Sequence, residues 1–482
     1  MTKCNLKSAE FERQGRREVV VDFEGGNLSS DGGLLLLRKV DRRLNLIQRM
    51  ADLIPDPRGP AYMKHTQAEM LTSRIFGIAA GYEDGNDHQH LRHDSAFQLA
   101  AGRAPTQDPE DEDHSPLASP STLSRFENRI DDSTLLKLSE LMVDIFLESY
   151  DCAPEEIILD YDATDDATHG NQEQRYFNGF YGSNCFLPLY VFCGNQILAA
   201  YLRPSSKGAA HNSTALTKLL VTKIRSRWPD TQIIIRGDDG FSLAKLMRWC
   251  DKNDVQYVFG LPKNNALLRE IEDETAQAKM DFEATGEKQT RFTWFRYKTT
   301  KSWRCHRWVL GKVEHGEQGA NPRFVVTNIP SSEGIVDTIY HRPRNNGKQK
   351  REIKQEGVVV CPVINAEAFY REMYCPRGEM ENRIKEQKLF LYSDRTSCTK
   401  FQANQFRLLL SSFAYVLLDG LRRLGLASTS APRMRVDSIR LKLIKIAARV
   451  RVSCRRIRFH LCSRCPAKDL FNQVILNLCR SG

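Results

Sequence analysis

The feature that most constrains this chain is the order of elements written between residues 155 and 264. "EIILDYD" is an apolar run of strand length, and "FLPLYVFCGNQILAAYLRPSS" holds two more strands around Gly194-Asn195, a dipeptide suited to a hairpin turn. A helix is predicted from about His211 to Arg227. "TQIIIRGDDGF" then reads as a buried strand ending at Asp238, "LAKLMRWCDKN" as a helix and "VQYVFGLP" as a strand. The order is therefore strand, two-stranded hairpin, helix, strand, helix, strand. Three antiparallel strands precede strands that are reached through helices and so run parallel.

That is the order of an RNase H-like sheet. The expected fold class is α/β, with an RNase H-like catalytic core (a mixed sheet, its first three strands antiparallel), a β-rich insertion, and helical N-terminal and C-terminal regions. The boundaries follow the changes of pattern. Residues 1–150 are expected to be a mainly helical region, with residues 151–264 as the first part of the core. Residues 265–365 are the β-rich insertion, residues 366–425 the second part of the core, and residues 426–482 a basic C-terminal region. Within the first region, "SPSTLSRFENRI" opens with residues suited to a helix start and exposes Arg125, Asn128 and Arg129 on a candidate recognition helix.

Carboxylates follow the first strand closely: Asp160, Asp162, Asp165 and Asp166. Period-two alternation puts Asp160 and Asp162 on one face and Leu159 and Tyr161 on the other. Asp165 and Asp166 are expected as loop acids. A right-handed crossover lays the strand ending at Asp238 parallel to the first, and direct pairing makes Asp162 and Asp238 neighbours. Two carboxylates that close repel each other, and a divalent cation is the natural reason to place them there. Magnesium or manganese, hard and oxygen-seeking, suits such donors better than zinc. A third acid is sought on a helix beneath the sheet, and "YCPRGEMENRIKEQKLFLYSDRTS" offers one. Arg377, Glu381 and Lys388, spaced by four and seven, share a helix face, an arrangement that also suits a plain ion-pair ladder.

Charge points to a polyanionic partner. The formal net charge is +10, and from Arg433 to Arg464 eleven Lys and Arg face the single acid Asp437. Apolar residues recur at Ile439, Leu441, Leu443, Ile444, Ile446, Ala447 and Val450, so these basic residues are expected on an amphipathic segment. Thirteen cysteines without framework spacing suit reduced thiols, and no apolar run has the length of a membrane span. The expected location is cytoplasmic. The one close pair, Cys462 and Cys465, with His460 and Cys454 nearby, lacks the second pair that a zinc site needs.

Together these stretches resemble a DDE transposase. Tyr374, Arg377, Glu381 and Lys388 match the Y-x2-R-x3-E-x6-K signature of bacterial insertion-sequence transposases of the family-4 clan. "VDFEGGNLSSDGGLLLLR", "LDYDATDDATHGNQE", "FNGFYGSNCFLPLYVFCG", "AAYLRP", "IIIRGDDGF", "RFVVTNIP" and "PRGEMENRIKEQKL" are similar to insertion-sequence family 1380. The resemblance implies Asp162, Asp238 and Glu381 as catalytic acids and ligands of two magnesium ions, for which manganese can substitute. Tyr374, Arg377 and Lys388 are implied contacts to DNA phosphates. The implied reaction is cleavage at terminal inverted repeats and joining to target DNA. Two ends must be joined, which implies a homodimer in a synaptic complex on double-stranded DNA, with no membrane partner and, in a bacterium, the nucleoid as its place.

Two departures stand out. Asp239 occupies a position where a small residue such as Ser is usual, adding charge beside the site, and the stretch from about Ser331 to Ala368 is longer and more basic than expected. Asp160, on the same face as Asp162, and Asp239 are candidates for supporting the metal ligands. Two other readings remain at this point. One is an inactive or domesticated transposase that only binds DNA. The other comes from "ILDYDAT", which fits the DxDxT signature of haloacid dehalogenase-like phosphatases, with Asp160 as nucleophile and Asp162 as acid or base. Those enzymes have a helical turn after the first strand, whereas this chain enters a hairpin.

Overall fold

The computed structural model describes residues 8–22, 24–59, 61, 63–105, 116–329 and 364–480. They form two compact units, one spanning Ser139–Lys385 and the other combining Met1–Leu138 with Glu386–Gly482.

The first unit is built on an eight-stranded sheet. Its strands are, in chain order, β1 (Glu156–Ala163), β2 (Leu189–Cys193), β3 (Gln196–Tyr201), β4 (Gln232–Gly237), β5 (Gln256–Leu261), β6 (Gln289–Tyr297), β7 (Arg307–Gly316) and β8 (Gly319–Thr327). Their order across the sheet is β6-β7-β8-β5-β4-β1-β2-β3. β1, β2 and β3 pair antiparallel, whereas β4 lies parallel to both β1 and β5. The parallel strands are reached through α1 (Ser213–Arg227) and α2 (Ala244–Lys252). This is the order of elements read from the sequence. The three strands expected as an insertion continue the same sheet, because β8 pairs antiparallel with β5.

Central strands are apolar on both sides because both sheet faces are covered. Leu159, Tyr161, Ile233, Ile235, Tyr257 and Phe259 pack in one cluster with Leu220, Val221 and Ile224 of α1 and Leu246 and Met247 of α2. On the opposite face Ile234, Val258, Leu310 and Val325 meet Phe369 and Tyr370. The helical segment starting at Ala366 is thereby fixed across the face that also carries Asp160 and Asp162. It passes through a π-helical turn, Phe369–Tyr374, and a single 3-10 turn, Cys375–Arg377, before α3 (Gly378–Lys385). Pro376 falls in the first turn of a new helical piece, where its missing N–H costs nothing.

The second unit is mainly helical. Its helix Phe401–Leu421 is buried at every residue from Ala403 to Leu421 except Arg407, as a central helix must be. Gln67–Ala80 packs on it and starts in a capping box, with Thr66 and Glu69 satisfying each other's free N–H groups. Buried acids here are matched by guanidinium groups: Glu127 receives Arg74 at 2.6 Å and Arg407 at 2.8 Å, and Glu386 receives Arg422 at 2.6 Å.

Three expectations change in detail. The helix after Ser119 is present at Pro120–Glu127, yet Arg129 is half-buried and committed to Gln67 at 2.9 Å and Asp56 at 3.4 Å, so it is not displayed for recognition. The C-terminal region, expected to be helical, is helical only in part. Val436–Ile439 and Arg440–Ile444 are helical, after which Ala448–Ser453 and Arg456–Leu461 form an antiparallel hairpin that pairs with Leu28–Ser29. Asp166 is not a loop acid either: it is buried in a short strand opposite Phe186. Eleven described cysteines are free thiols. Among the described residues no helix is long and apolar enough to cross a membrane.

Candidate active site

Strand register builds the site. Asp160 lies opposite Arg236 and Tyr161 opposite Gly237. One step further, at the carboxyl ends of two neighbouring parallel strands whose axes are about 5 Å apart, come Asp162 and Asp238. Asp162 accepts a hydrogen bond from the N–H of Ala163 at 2.8 Å, and Asp238 accepts one from Gly240 at 3.0 Å.

Burial pushes the Asp162 carboxyl up, the charge of Asp238 pushes it further, and the result is about 6; Glu381 adds to the rise while Arg377 opposes it. Asp238 is also raised, first by burial, with Arg377 pulling it down and Asp239 pushing it up. Glu381, on α3, is thus within the electrostatic reach of Asp162. Burial lowers the Arg377 guanidinium, but Tyr374, Asp162, Asp238 and Glu381 together outweigh that and raise it. One cation therefore stands among three acids. Its guanidinium lies 5.5 Å from the centre of the Tyr374 ring. Burial raises the Tyr374 phenol, which also senses Asp238 and Asp239.

Two residues earlier the chemistry is different. Arg236 grips the Asp160 carboxylate through both arms, with Nη2 donating to Oδ2 at 2.8 Å, and its Nη1 donates to the Met373 carbonyl at 2.7 Å. Asp160 thus shares the face of Asp162, as alternation predicts, but its oxygens are held by an arginine that also anchors the segment leading to Tyr374. A carboxylate clamped in this way is not free to act as a nucleophile, which removes the phosphatase reading of Asp160. Arg236 is a residue that motif matching misses. Its signal was present: it stands two places before Asp238, as Asp160 does before Asp162.

Other placements follow. Gly260 on β5 leaves room for the site, since a Cβ there would sit 2.8 Å from both the Asp239 nitrogen and the Tyr374 hydroxyl. Arg203, buried, donates to the carbonyls of Leu187 at 2.8 Å and His211 at 2.9 Å and fixes the loop after β3. Asp239 is exposed, beside Asp238. Lys388 lies in the second unit, in the π-helical turn Glu386–Phe390. The long basic stretch from Ser331 to Ala368 lies, up to residue 363, outside the described residues.

The donor set suits a hard cation in its chemistry: the half-buried carboxylates of Asp162 and Asp238, the second raising the first, and the exposed carboxylate of Glu381, with the Arg377 guanidinium acting on Asp162 and Asp238. Among the described residues, however, no three His, Cys, Asp or Glu side chains stand in a geometry ready to hold a metal. The same statement covers Cys454, His460, Cys462 and Cys465.

Residues 11–357 and 348–482 match the family model described as transposase DDE domain, group 1. The chain belongs to the DDE transposases. Their activity is that of nucleases of DNA transposition and recombination, and they generally use divalent metal ions. No curated protein matches this transposase. Among solved structures it is similar to the piggyBac transposase synaptic complex with hairpin DNA, at 9% identity over 85% of this chain and 78% of that one, with a TM-score of 0.40.

Proposed function

We propose that this protein is the transposase of a bacterial insertion sequence similar to family 1380, which cuts DNA at terminal inverted repeats and joins the ends to target DNA. The observation that carries the reading is the match of the chain to the DDE transposase family model, supported by Asp162 and Asp238 ending adjacent parallel strands and by α3, which bears Glu381, packing against the first of them. In this reading the sheet is an RNase H-like core and the three acids hold two magnesium ions, replaceable by manganese. Such ions, when bound, supply charge neutralisation at phosphorus and a water or 3′-hydroxyl of lowered pKa.

The protein's own contribution is position and charge. Asp162 and Asp238 are fixed by register and by backbone N–H groups, so little rearrangement is required of them. Arg377, fork-shaped and always charged, pairs with a phosphate of the DNA end once cations relieve it of the carboxylates. The Tyr374 hydroxyl, in the space left by Gly260, and Lys388 make further phosphate contacts. A synaptic homodimer brings two ends together, and the basic C-terminal region 426–482 and the helical N-terminal region 1–150 hold the DNA.

Incubating the protein with paired terminal repeats and magnesium tests this. The reading expects cut ends, and expects Asp162→Ala, Asp238→Ala and Glu381→Ala to bind ends without cutting them. Normal cutting by any of the three variants would refute the assignment, and a gel shift without cutting by the wild type would make the protein a binder only.

A further inference from the structure

One conspicuous feature of the catalytic unit is not used by the acids. "FNGFYGSNCF" forms a small hairpin in which Tyr176–Asn178 pairs with Ser183–Phe186, and Ser183–Phe186 pairs in turn with Asp166–Ala167, just beyond Asp162. Its base is anchored: Cys185 and Phe186 are buried, the Asn178 amide donates to the Ser205 carbonyl at 3.2 Å, and the Ser205 hydroxyl donates to the Tyr176 carbonyl at 2.8 Å. The tip is shaped as well. Gly182 takes φ +66°, and the N–H groups of Phe180 and Gly182 both donate to Asn178, at 3.0 Å to its side chain and 2.9 Å to its carbonyl.

What this scaffold presents is aromatic. Phe180 is 88% exposed and Phe177 66%, with Tyr176 and Tyr181 also exposed. The rings of Phe180 and Tyr181 meet edge to face, 4.9 Å between centres. Burial raises the Tyr181 phenol, and Asp165, Asp162 and Asp238 add to the rise, so its hydroxyl end lies in the field of the acid cluster. The hairpin joins the strand end that carries Asp162 to the start of β2, so its tip and the acids lie at the same end of the sheet, and the Phe180 ring stays open to solvent. A phenylalanine left outside forgoes the burial that it gains almost anywhere else in a fold.

We propose that the Phe180–Tyr181 tip is a stacking site for an unpaired nucleobase next to the phosphodiester that the acid cluster cuts. The proposal rests on the DNA-cutting reading. The occupant follows from chemistry: on a strand whose phosphate approaches the carboxylates, the flat apolar surfaces nearest that phosphate are its two bases. Aromatic rings accept any base on their π face, and do so most readily where the base is not held in a duplex stack.

The experiment uses the full chain, calcium, and two probes: a short duplex with an unpaired overhang carrying 2-aminopurine at its first unpaired position, and the same duplex fully paired. Wild type should quench the overhang probe and bind it more tightly than the paired one. Phe180→Ala should lose the quenching and bind the overhang about tenfold more weakly, leaving the paired duplex unchanged, and Phe180→Trp should restore both. Quenching by Phe180→Ala equal to wild type would overturn the proposal, as would equal weakening on both probes. A loss of self-association in Phe180→Ala, seen by sedimentation with unchanged quenching, would make the tip a protein contact and also overturn it. A wild type that cuts DNA yet shows no quenching sinks this inference alone; one that neither cuts nor binds DNA sinks it together with the function it rests on.

Discussion

Two pairs of residues, one step of the pleat apart on the same two strands, have opposite character. Asp160 and Arg236 face each other across β1 and β4, and Asp162 and Asp238 follow at the strand ends. Burial raises both Asp160 and Asp162. The next influence differs: for Asp160 it is the hydrogen bond from Arg236, which lowers its pKa, and for Asp162 it is the charge of Asp238, which raises it. The second unit follows the first pattern, with Glu127 lowered overall because Arg74 and Arg407 outweigh its burial. Asp160, Glu127 and Glu386 are buried and paired with arginines, whereas Asp162 is left facing another acid, where a cation would have something to neutralise.

The contrast can be broken by removing the compensation. Arg236→Met strands the buried Asp160 carboxylate and should cost about 3–5 kcal/mol in urea unfolding, with Asp160→Asn in the same chain recovering part of it. A change below about 1 kcal/mol would mean that the pair does not brace the site.

The uncompensated pair should show the opposite response, through pH. Asp162 titrates at about 6 when folded, against an ordinary 3.8. Between those values the folded chain holds a proton that the unfolded chain has lost, so stability falls as pH rises through the window, by roughly 2 kcal/mol. Asp162→Asn should remove most of that slope, and magnesium should offset it in the wild type by binding the ionised form. A flat melting profile from pH 4 to 6 in metal-free wild type would contradict the assignment of the shift.

Gly260→Ala probes the space between these groups. Its Cβ would press on the Asp239 nitrogen and the Tyr374 hydroxyl, costing about 1–2 kcal/mol in thermal unfolding and reducing DNA cutting more than DNA binding. Equal cutting by this variant would show that Tyr374 can move aside without consequence. The smallest effect is expected from Asp239→Ser, which should move the Asp238 carboxyl down toward its ordinary value, read by NMR titration, with no change in fold.

Much of this was legible in the sequence because it is local. Apolar runs, the Gly194-Asn195 turn and two intervening helices set the strand order, and alternation put Asp160 and Asp162 on one face. What separates their roles lies across the sheet, in Arg236 and Asp238, and only strand register reveals it. The basic C-terminus reads as an amphipathic segment without a single period, because the apolar spacing from Ile439 to Val450 overlaps two, and only its first part is helical. Beyond Ala448 the alternation Arg449-Val450-Arg451-Val452 is that of a strand, and the structure follows it. Asp166 looked like a loop acid because its strand partner, Phe186, is set by a hairpin that closes well downstream.

The central claim is that the acid pair at the strand ends binds the catalytic cation and the pair one step before it does not. Cysteine substitution tests it directly, because a thiolate is a poor ligand for hard magnesium and a better one for softer manganese. Nicking of a plasmid carrying the gene with its own flanking sequence would be followed for Asp162→Cys, Asp238→Cys and Asp160→Cys in each metal. The account predicts that the first two are inactive in magnesium and regain nicking in manganese, while Asp160→Cys shows no such switch. Nicking by Asp162→Cys or Asp238→Cys in magnesium at the wild-type rate would contradict it.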